Sequence, residues 1–186
     1  MELKDALYSR RSVREYASTP VAESLVRGLI DAAIQAPSAV NSQPWSFTVV
    51  QDRSLLARIC TASKAYVLER PPGGLSAEHL RRLQDPAFDI FYGAPALIVV
   101  SSVAEDRWAV ENCTLAAQNL MLAACATGLG SCWIGFAQGW LASEPGKAAL
   151  ELPAGRVPVA PLIVGYPRSP AAAVPRRAPA IRWLGP

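Results

Sequence analysis

The sequence predicts a single domain of the α/β or α+β class built on one central sheet. At 186 residues the chain has the length of one domain and can bury a core. Hydrophobic residues make up 51% and charged residues 18%, a globular rather than a disordered composition. Strand-sized apolar runs, such as residues 96–100 and 162–164, alternate with longer stretches of helical periodicity. Interleaving of this kind favours helices packed on one sheet.

The first half of the chain predicts helices on both sides of a first strand. A short helix over residues 2–9 carries its apolar side chains on one face. Thr19-Pro20 has the form of an N-cap followed by proline in the first turn, and it predicts a helix that runs to about Ala36. A strand at 47–50 and a helix at 54–61 follow.

The second half predicts a turn at Pro71-Pro72-Gly73-Gly74 and then a regular alternation of elements. These are a helix at 77–83, a strand at 95–101, a helix at 105–127, a strand at 131–135, a helix at 145–150 and a strand at 161–164. From Tyr166 onward, five prolines and four arginines indicate an extended tail. Because this tail also carries Ile181 and Trp183, we expect it to lie against another surface.

Composition excludes several classes of protein. No apolar stretch reaches the roughly 18 to 20 residues that a membrane span requires, and the N-terminus lacks the order of a signal peptide. A soluble cytoplasmic protein is therefore expected. The single histidine, His79, and four cysteines without a C-x-x-C pair predict no metal site and few catalytic side chains. An enzyme with this composition would rely on a cofactor for its chemistry.

The segment Arg10-Arg11-Ser12-Val13-Arg14 is the first candidate site. Guanidinium groups bind phosphate through paired, charge-assisted hydrogen bonds, and a serine hydroxyl adds another donor. Taken alone, the cluster is better explained by a solvated basic turn. The second pair, Arg176-Arg177, lies in the tail, so both ends of the chain can meet at one anion.

Two further motifs are compatible with a flat polar ligand. Residues 36–45 place serine, asparagine and glutamine side chains between a helix and a strand, where they either recognise a polar ring edge or cap the connection. Residues 128–135, Gly-Leu-Gly-Ser-Cys-Trp-Ile-Gly, permit close approach of backbone to a ligand, or simply form a helix C-cap and a core strand. They follow a helix and lack G-x-G-x-x-G, which argues against a Rossmann site.

Together, these three motifs resemble the FMN-dependent nitroreductase family, and the segments 89–95, 117–123 and 165–167 are also similar to it. The resemblance covers nearly the whole chain and is weakest over residues 60–85. It implies an α+β fold with a mixed central sheet flanked by helices, in one FMN-binding domain over residues 1–186. It also implies an intertwined homodimer in which the tail, residues 166–186, wraps the partner.

The resemblance implies a set of cofactor-binding residues at the dimer interface. Arg10, with Arg176 or Arg177, would hold the FMN phosphate. Arg14 would lie beside N1 and O2 of the flavin, where a cation favours negative charge. Further contacts would come from Arg11 and Ser12 to phosphate or ribityl, and from Pro37, Ser38 and Asn41 of the partner chain.

The flavin ring itself would lie along the third motif. Cys132, Trp133, Ile134 and Gly135 would follow the isoalloxazine, with the backbone N–H of Ile134 or Gly135 facing N5. Many members of the family add a lysine or asparagine before the Ala-Pro strand, which has no clear match here. Lys64, Tyr66 and Phe91 are weak candidates for the substrate pocket and stay outside the predicted site.

The function implied is NAD(P)H-dependent reduction of a small flat acceptor, such as a nitroaromatic or quinone, in two stages through flavin N5. Two alternatives stay open: a specialised flavoenzyme of the same fold, either a dehalogenase or a flavin-consuming enzyme, and a non-catalytic FMN-binding module. A net charge of +3 and aromatics within apolar segments do not favour nucleic acid, and no membrane partner is expected.

Overall fold

The structure is a computed structural model that describes residues 1–103 and 107–185. Within these ranges it contains seven α-helices and four strands, which confirms the predicted α+β class. None of the helices in these ranges is long and apolar enough to cross a bilayer. In chain order the elements are α1 (Leu3–Ser9), α2 (Glu23–Ala33), β1 (Trp45–Val50), α3 (Arg53–Glu69), α4 (Ala77–Gln84), β2 (Ala96–Ser102), α5 (Ala109–Ala126), β3 (Gly130–Trp133), α6 (Gly135–Leu141), α7 (Glu144–Ala149) and β4 (Val157–Gly165).

The four strands form one sheet in the order β1-β2-β4-β3, and every neighbouring pair of strands is antiparallel. The parallel component of the expected mixed sheet is, in the described chain, a single bridge between Ser12 and Ser131. Ser12 belongs to the arginine-rich segment that follows α1. This bridge therefore attaches that segment to the edge of the sheet at β3.

Helices cover both faces of the sheet, as the alternation of side chains along β2 shows. Leu97 and Val99 pack with the α3 and α6 side of the core. Ile98 and Val100 pack with α2 and α5 on the opposite face. All four side chains are fully buried. Burial on both faces explains why β2 is a continuous apolar run rather than an alternation of apolar and polar residues.

The central strand β4 contains Pro158 and Pro161, although proline is rare inside sheets because it has no N–H. The Pro161 carbonyl accepts a hydrogen bond from the Ile134 N–H at 2.9 Å, beyond the last residue of β3. In an antiparallel strand the N and C=O of one residue point to the same side. The missing N–H of Pro161 therefore faces a place where no strand pairs with it. Proline is therefore tolerated at this position, and β4 begins at Val157, earlier than the predicted strand at 161–164.

Several predicted boundaries are wrong for identifiable reasons. Helix α2 begins at Glu23 with Ala22 as its N-cap, so Thr19-Pro20 lies outside the helix. Helix α3 continues past residue 61 to Glu69, because its buried face extends through Ser63 to Val67, and the polar Ser63 hides that continuation in the sequence. Gly135, predicted as the end of a strand, begins α6, a helix that the sequence pattern does not predict. The start of the helix predicted from 105 lies outside the described residues.

The C-terminal tail has no regular secondary structure from residue 168 to residue 185, and all of these residues are exposed. Trp183 is 86% exposed and Leu184 is 81% exposed. Large apolar side chains are rarely left in water over such a stretch without a surface to cover them. The single chain does not supply that surface.

Candidate functional site

The arginine-rich segment is held to β3 by main-chain contacts. The Val13 N–H donates to the Ser131 carbonyl at 3.0 Å, and the Tyr16 hydroxyl donates to the Val13 carbonyl at 2.9 Å. Val13 is buried against Gly130, where an added Cβ would lie 2.7 Å from the nearest Val13 methyl. With Val13 directed inward, the neighbouring Arg14 is left exposed. Sequence and packing thus place this guanidinium at the surface beside β3.

The surroundings of the Cys132 thiol show which predicted residues come together. Burial raises its pKa, and Arg14, a hydrogen bond with Ser12 and Arg10 each act in the opposite direction. These three side chains therefore lie within electrostatic range of the same sulfur atom. The structure therefore places Arg10, Ser12 and Arg14 near Cys132. Their binding to the phosphate and ring of one ligand stays a prediction.

The turn between β3 and α6 distinguishes the two amides predicted to face the ligand. The Ile134 N–H is already bonded to the Pro161 carbonyl. Gly135 is the first residue of α6, and the first amides of a helix have no intrahelical acceptor. The Ile134 amide thus connects β3 to β4, and the Gly135 amide remains the candidate hydrogen-bond donor to a ligand.

A cavity of about 510 Å³ opens beside this turn. Arg14, Cys132, Trp133, Ile134 and Gly135 line it, which joins the first and third sequence motifs in one site. Its volume lies within the range of small-molecule sites. Ile90 and Tyr92, which also line it, belong to the segment 89–95 that resembles the family. The remaining lining residues lie outside the predicted motifs and come mostly from α4 and its flanking loops: Pro72, Leu75, His79, Arg82, Phe88 and Phe136.

Two buried polar atoms near the arginine-rich segment have no hydrogen-bond partner within the described chain, Arg11 Nε and Ser131 Oγ. Other donors of Arg11 are used locally, by the Tyr8 carbonyl at 2.8 Å and the Arg10 carbonyl at 2.7 Å. Unpaired buried donors are costly, so such atoms indicate a missing partner. An anionic, hydroxyl-rich ligand beside β3 would supply partners of the right kind.

The second motif lies apart from the cavity in the single chain. The Ala39 N–H donates to Oδ1 of the buried Asn112 at 3.0 Å, and the Gln43 N–H donates to Ser38 Oγ at 2.9 Å. Asn41 has a φ of 54° and Val40 a φ of 49°, and Val40 is 98% exposed. A β-branched residue in this region is strained. Pro37, Ser38 and Asn41 thus form a surface loop that does not line the cavity of their own chain.

The tail arginines do not line the cavity of their own chain either. Arg176 and Arg177 lie in the exposed stretch. In the described residues the tail meets the N-terminal segment earlier, where Ala171 and Ala173 border a cleft with Tyr8, Ser9 and Arg11. The convergence of Arg177 on Arg10 remains a prediction.

The three weak candidates from the middle of the chain do not line this cavity. The Lys64 ammonium donates to the Asp85 carbonyl at 2.6 Å and to the Phe88 carbonyl at 2.8 Å. Tyr66 packs against Gly139, and Phe91 is buried in the core. Lys64 therefore fastens the loop after α4, and the cavity takes its aromatic lining from Phe88 and Tyr92 instead.

Comparisons with known proteins agree with this geometry. The sequence profile of the Nitroreductase family matches residues 7–166. A nitroreductase of Bacteroides fragilis crystallised with bound FMN superimposes with a TM-score of 0.82 at 26% identity, over 100% of both chains.

Two curated relatives match shorter segments. An NADH dehydrogenase of Thermus thermophilus is 41% identical over 73 residues, which are 38% of this chain and 36% of that protein. An iodotyrosine deiodinase of Haliscomenobacter hydrossis is 35% identical over 104 residues, or 52% of this chain and 46% of that protein. The aligned segments thus span less than half the length of these curated relatives. The profile match covers most of the chain, however, and the chain belongs to the nitroreductase family.

Proposed function

We propose that this chain is an FMN-dependent oxidoreductase that uses NADH or NADPH to reduce small flat acceptors, such as nitroaromatics or quinones. The observation that carries the proposal is that Arg14 and the β3–α6 turn line one cavity. Arg10 and Ser12 lie close to the Cys132 thiol, which is part of that lining. Family membership supports the same reaction class. Few conventional catalytic groups are needed, because the cofactor carries the redox chemistry.

The residues present fit FMN by an independent criterion. The unpartnered Arg11 Nε and Ser131 Oγ are donors beside the arginine-rich segment, where a phosphate and ribityl chain carry acceptors. Arg10 would hold the phosphate together with Arg177 or Arg176, and Arg11 would contact the phosphate or the ribityl group. Ser12 would contact the phosphate or ribityl group, and Cys132, Trp133 and Ile134 would lie along the ring. The B. fragilis relative that spans the whole chain was crystallised with this cofactor.

FMN, when bound, supplies a ring that takes a hydride from the nicotinamide and returns electrons to the acceptor. The chain contributes a fixed positive charge at Arg14, which stabilises negative charge at the pyrimidine edge of the ring. The Gly135 N–H is the main-chain donor available to the N5 edge, since the Ile134 amide is bonded to Pro161. Trp133, Phe136 and Tyr92 surround the space in which a flat substrate stacks and exclude water from it.

We further propose that the functional unit is a homodimer, in which Pro37, Ser38 and Asn41 complete the partner's site. Support comes from apolar surface left open on the single chain. Leu3 of α1 is 69% exposed, and it borders a groove of about 380 Å³ whose lining is mostly apolar and comes from α1, α2 and α5. A second copy of the chain would cover such a surface.

Purified protein tests the proposal directly. FMN-loaded protein is expected to be yellow, with flavin absorption bleached by NADH or NADPH and restored by a nitroaromatic or quinone. Protein that cannot be loaded with FMN would refute the cofactor assignment. Bound flavin that neither nicotinamide reduces would instead indicate the non-catalytic binding module.

A dehalogenase is the second candidate, because the deiodinase relative is similar over about half of this chain. The same FMN-loaded protein, reduced and mixed with 3-iodotyrosine, separates the two functions. Release of iodide at a rate comparable to nitroaromatic reduction would favour the dehalogenase. Rapid nitroaromatic reduction without iodide release supports the main proposal.

A further inference from the structure

The outer wall of the 510 Å³ cavity is built by α4 and its flanking loops, and it is cationic. Arg82 and His79 of α4 line the cavity together with Arg14, whereas none of the described lining residues is an aspartate or glutamate. The residues between these basic groups are aromatic or apolar. If the flavin lies along β3, as the proposed function has it, the α4 wall faces the substrate that stacks on the flavin ring.

Arg82 is held in place by its neighbours. Leu83, the next residue, is 1% exposed, which fixes the rotation of α4 about its axis. The Arg82 guanidinium carbon lies 4.4 Å from the centre of the Phe88 ring, a cation–π contact. Phe88 is in turn held by Lys64, which bonds its carbonyl, and by an edge contact with Tyr92.

The charge of Arg82 has no carboxylate partner within the described chain. The acidic side chains that follow α4, Asp85 and Asp89, already accept hydrogen bonds from backbone N–H groups of the next loop. Asp85 accepts from the Ala87 N–H, and Asp89 accepts from the Phe91 and Gly93 N–H groups, each at 2.8 to 2.9 Å. Arg14, the other guanidinium in the cavity, is assigned to the flavin by the proposed function. Arg82 is therefore the arginine of the α4 wall that is available to bind an anionic group of the substrate.

Resting on the proposed function, we propose that the acceptor is an aromatic compound bearing an anionic group such as a carboxylate, and that Arg82 is the residue that selects it. The ring stacks among Phe88, Tyr92 and Phe136, and the carboxylate pairs with the guanidinium of Arg82 at the outer end. This cationic wall is a specificity device and plays no part in the electron transfer itself.

Two substrates of nearly the same shape but different charge separate the effect of the carboxylate from the effect of the ring. 4-Nitrobenzoate and 4-nitrobenzamide differ mainly in charge, so the ratio of their kcat/KM values is measured in wild type, Arg82→Gln and Arg82→Lys. Arg82→Gln is expected to lower the anion-to-neutral ratio about fivefold, the size of a charge contact at a solvent-open site. Arg82→Lys, which keeps the charge, should restore most of it. Comparing ratios removes the intrinsic difference in reactivity of the two nitro groups.

Arg81→Gln is the matched control, because it removes the same charge from the same turn of α4 at an exposed residue that does not line the cavity. Its ratio should equal that of wild type. If Arg81→Gln and Arg82→Gln shift the ratio equally, or if neither does, the proposal is overturned. An effect of Arg82→Gln confined to the KM of NADPH would also overturn it, by assigning the cation to the reductant's phosphate.

A binding measurement that needs no catalysis tests the acceptor class separately from the proposed function. Benzoate and benzamide, which cannot be reduced, are titrated into the oxidised FMN-loaded protein and followed by the flavin spectrum. Benzoate is expected to bind more tightly than benzamide, and Arg82→Gln should abolish that preference. Equal binding in wild type would refute the acceptor class even if the enzyme reduces other compounds. Failure of the proposed function shows instead as flavin that nicotinamides do not bleach.

Discussion

Arg10 is the arginine of the N-terminal segment that we propose holds the FMN phosphate. It follows α1, and its charge acts on the Cys132 thiol beside the cavity. We predict that Arg10→Ala combined with Arg177→Ala raises the Kd for FMN by at least about 100-fold, because two hydrogen bonds between charged groups, each worth about 1.5 kcal/mol or more, would be lost. Fluorescence titration with FMN measures the change, and far-UV circular dichroism verifies folding.

The matched control for this double variant removes two arginines elsewhere. Arg27 and Arg58 are exposed on α2 and α3, so Arg27→Ala with Arg58→Ala changes the net charge equally. The control should bind FMN like wild type. Full FMN retention by Arg10→Ala with Arg177→Ala would contradict the phosphate assignment.

Buried thiol and phenol groups make the stability of the chain fall as the pH becomes alkaline. Burial raises the pKa of Cys60 from 9.0 to about 11, and it also raises the pKa values of Cys132 and Tyr16. Between pH 9 and 11 the unfolded thiol loses its proton before the folded one, so the free energy of unfolding falls as pH rises. For Cys60 alone the loss is of order 1 kcal/mol at pH 10.

Urea denaturation at pH 8 and pH 10 measures this effect. Cys60→Ala should lose less stability between the two pH values than wild type, whatever its stability at pH 8. An equal loss in both proteins would show that the Cys60 thiol does not contribute.

At the scale of elements, α4 depends on its N-cap. Ser76 Oγ accepts from the His79 N–H at 3.3 Å and contacts His79 Nδ1 at 2.8 Å. We predict that Ser76→Ala speeds amide hydrogen exchange across residues 77–84 about fivefold, since loss of a serine cap costs about 1 kcal/mol. Amides of α3 should exchange as before.

Ser76→Asp is the control for the cap, because aspartate caps helices as well as serine does. It should retain the wild-type protection of α4. If Ser76→Ala leaves exchange in α4 unchanged, the helix is held by Leu83 and its packing rather than by the cap.

The elements that the sequence predicts well are those with a strong local pattern. The unbroken apolar run of β2 predicts this strand within one residue at each end. Helix α6 escapes prediction because its sequence, Gly-Phe-Ala-Gln-Gly-Trp-Leu, has weak helical propensity, and burial of Ala137 and Leu141 stabilises it instead. The bond from Ile134 to Pro161 is equally invisible in the sequence, since it joins residues that only the fold brings together.

The predictable part of the site is likewise the part contained in contiguous motifs. Residues 10–14 and 132–135 can be grouped from the sequence because together they resemble the motifs of one family. Arg82 cannot, because basic residues on a surface helix are common for many reasons. Only its position in the cavity wall distinguishes it.

For the whole molecule, the exposed apolar surfaces predict self-association. The protein should sediment with twice the 19.8 kDa mass of the chain. Trp183→Ala with Ile181→Ala should weaken the dimer about 30-fold, a size typical of truncating an aromatic side chain at the centre of an interface. Sedimentation equilibrium over a range of concentrations measures the dissociation constant.

Val49→Ala serves as the control for the dimer, because Val49 is an exposed apolar residue on the edge strand β1 and lies outside the tail. It should associate like wild type. A single-chain mass at every concentration would refute the dimer. If the tail variant associates as wild type does, the tail is not part of the dimer interface.

The hydrogen bond between Ile134 and Pro161 has a consequence for how this protein can be changed in the laboratory. It ties the turn that we propose faces the flavin to the central strand β4, whereas most of the wall proposed to face the acceptor belongs to the separate segment 71–92. Diversifying that segment alone is therefore a rational library design for directed evolution. Variants selected for new acceptors should keep their yellow colour, since the residues proposed to retain the cofactor are encoded elsewhere.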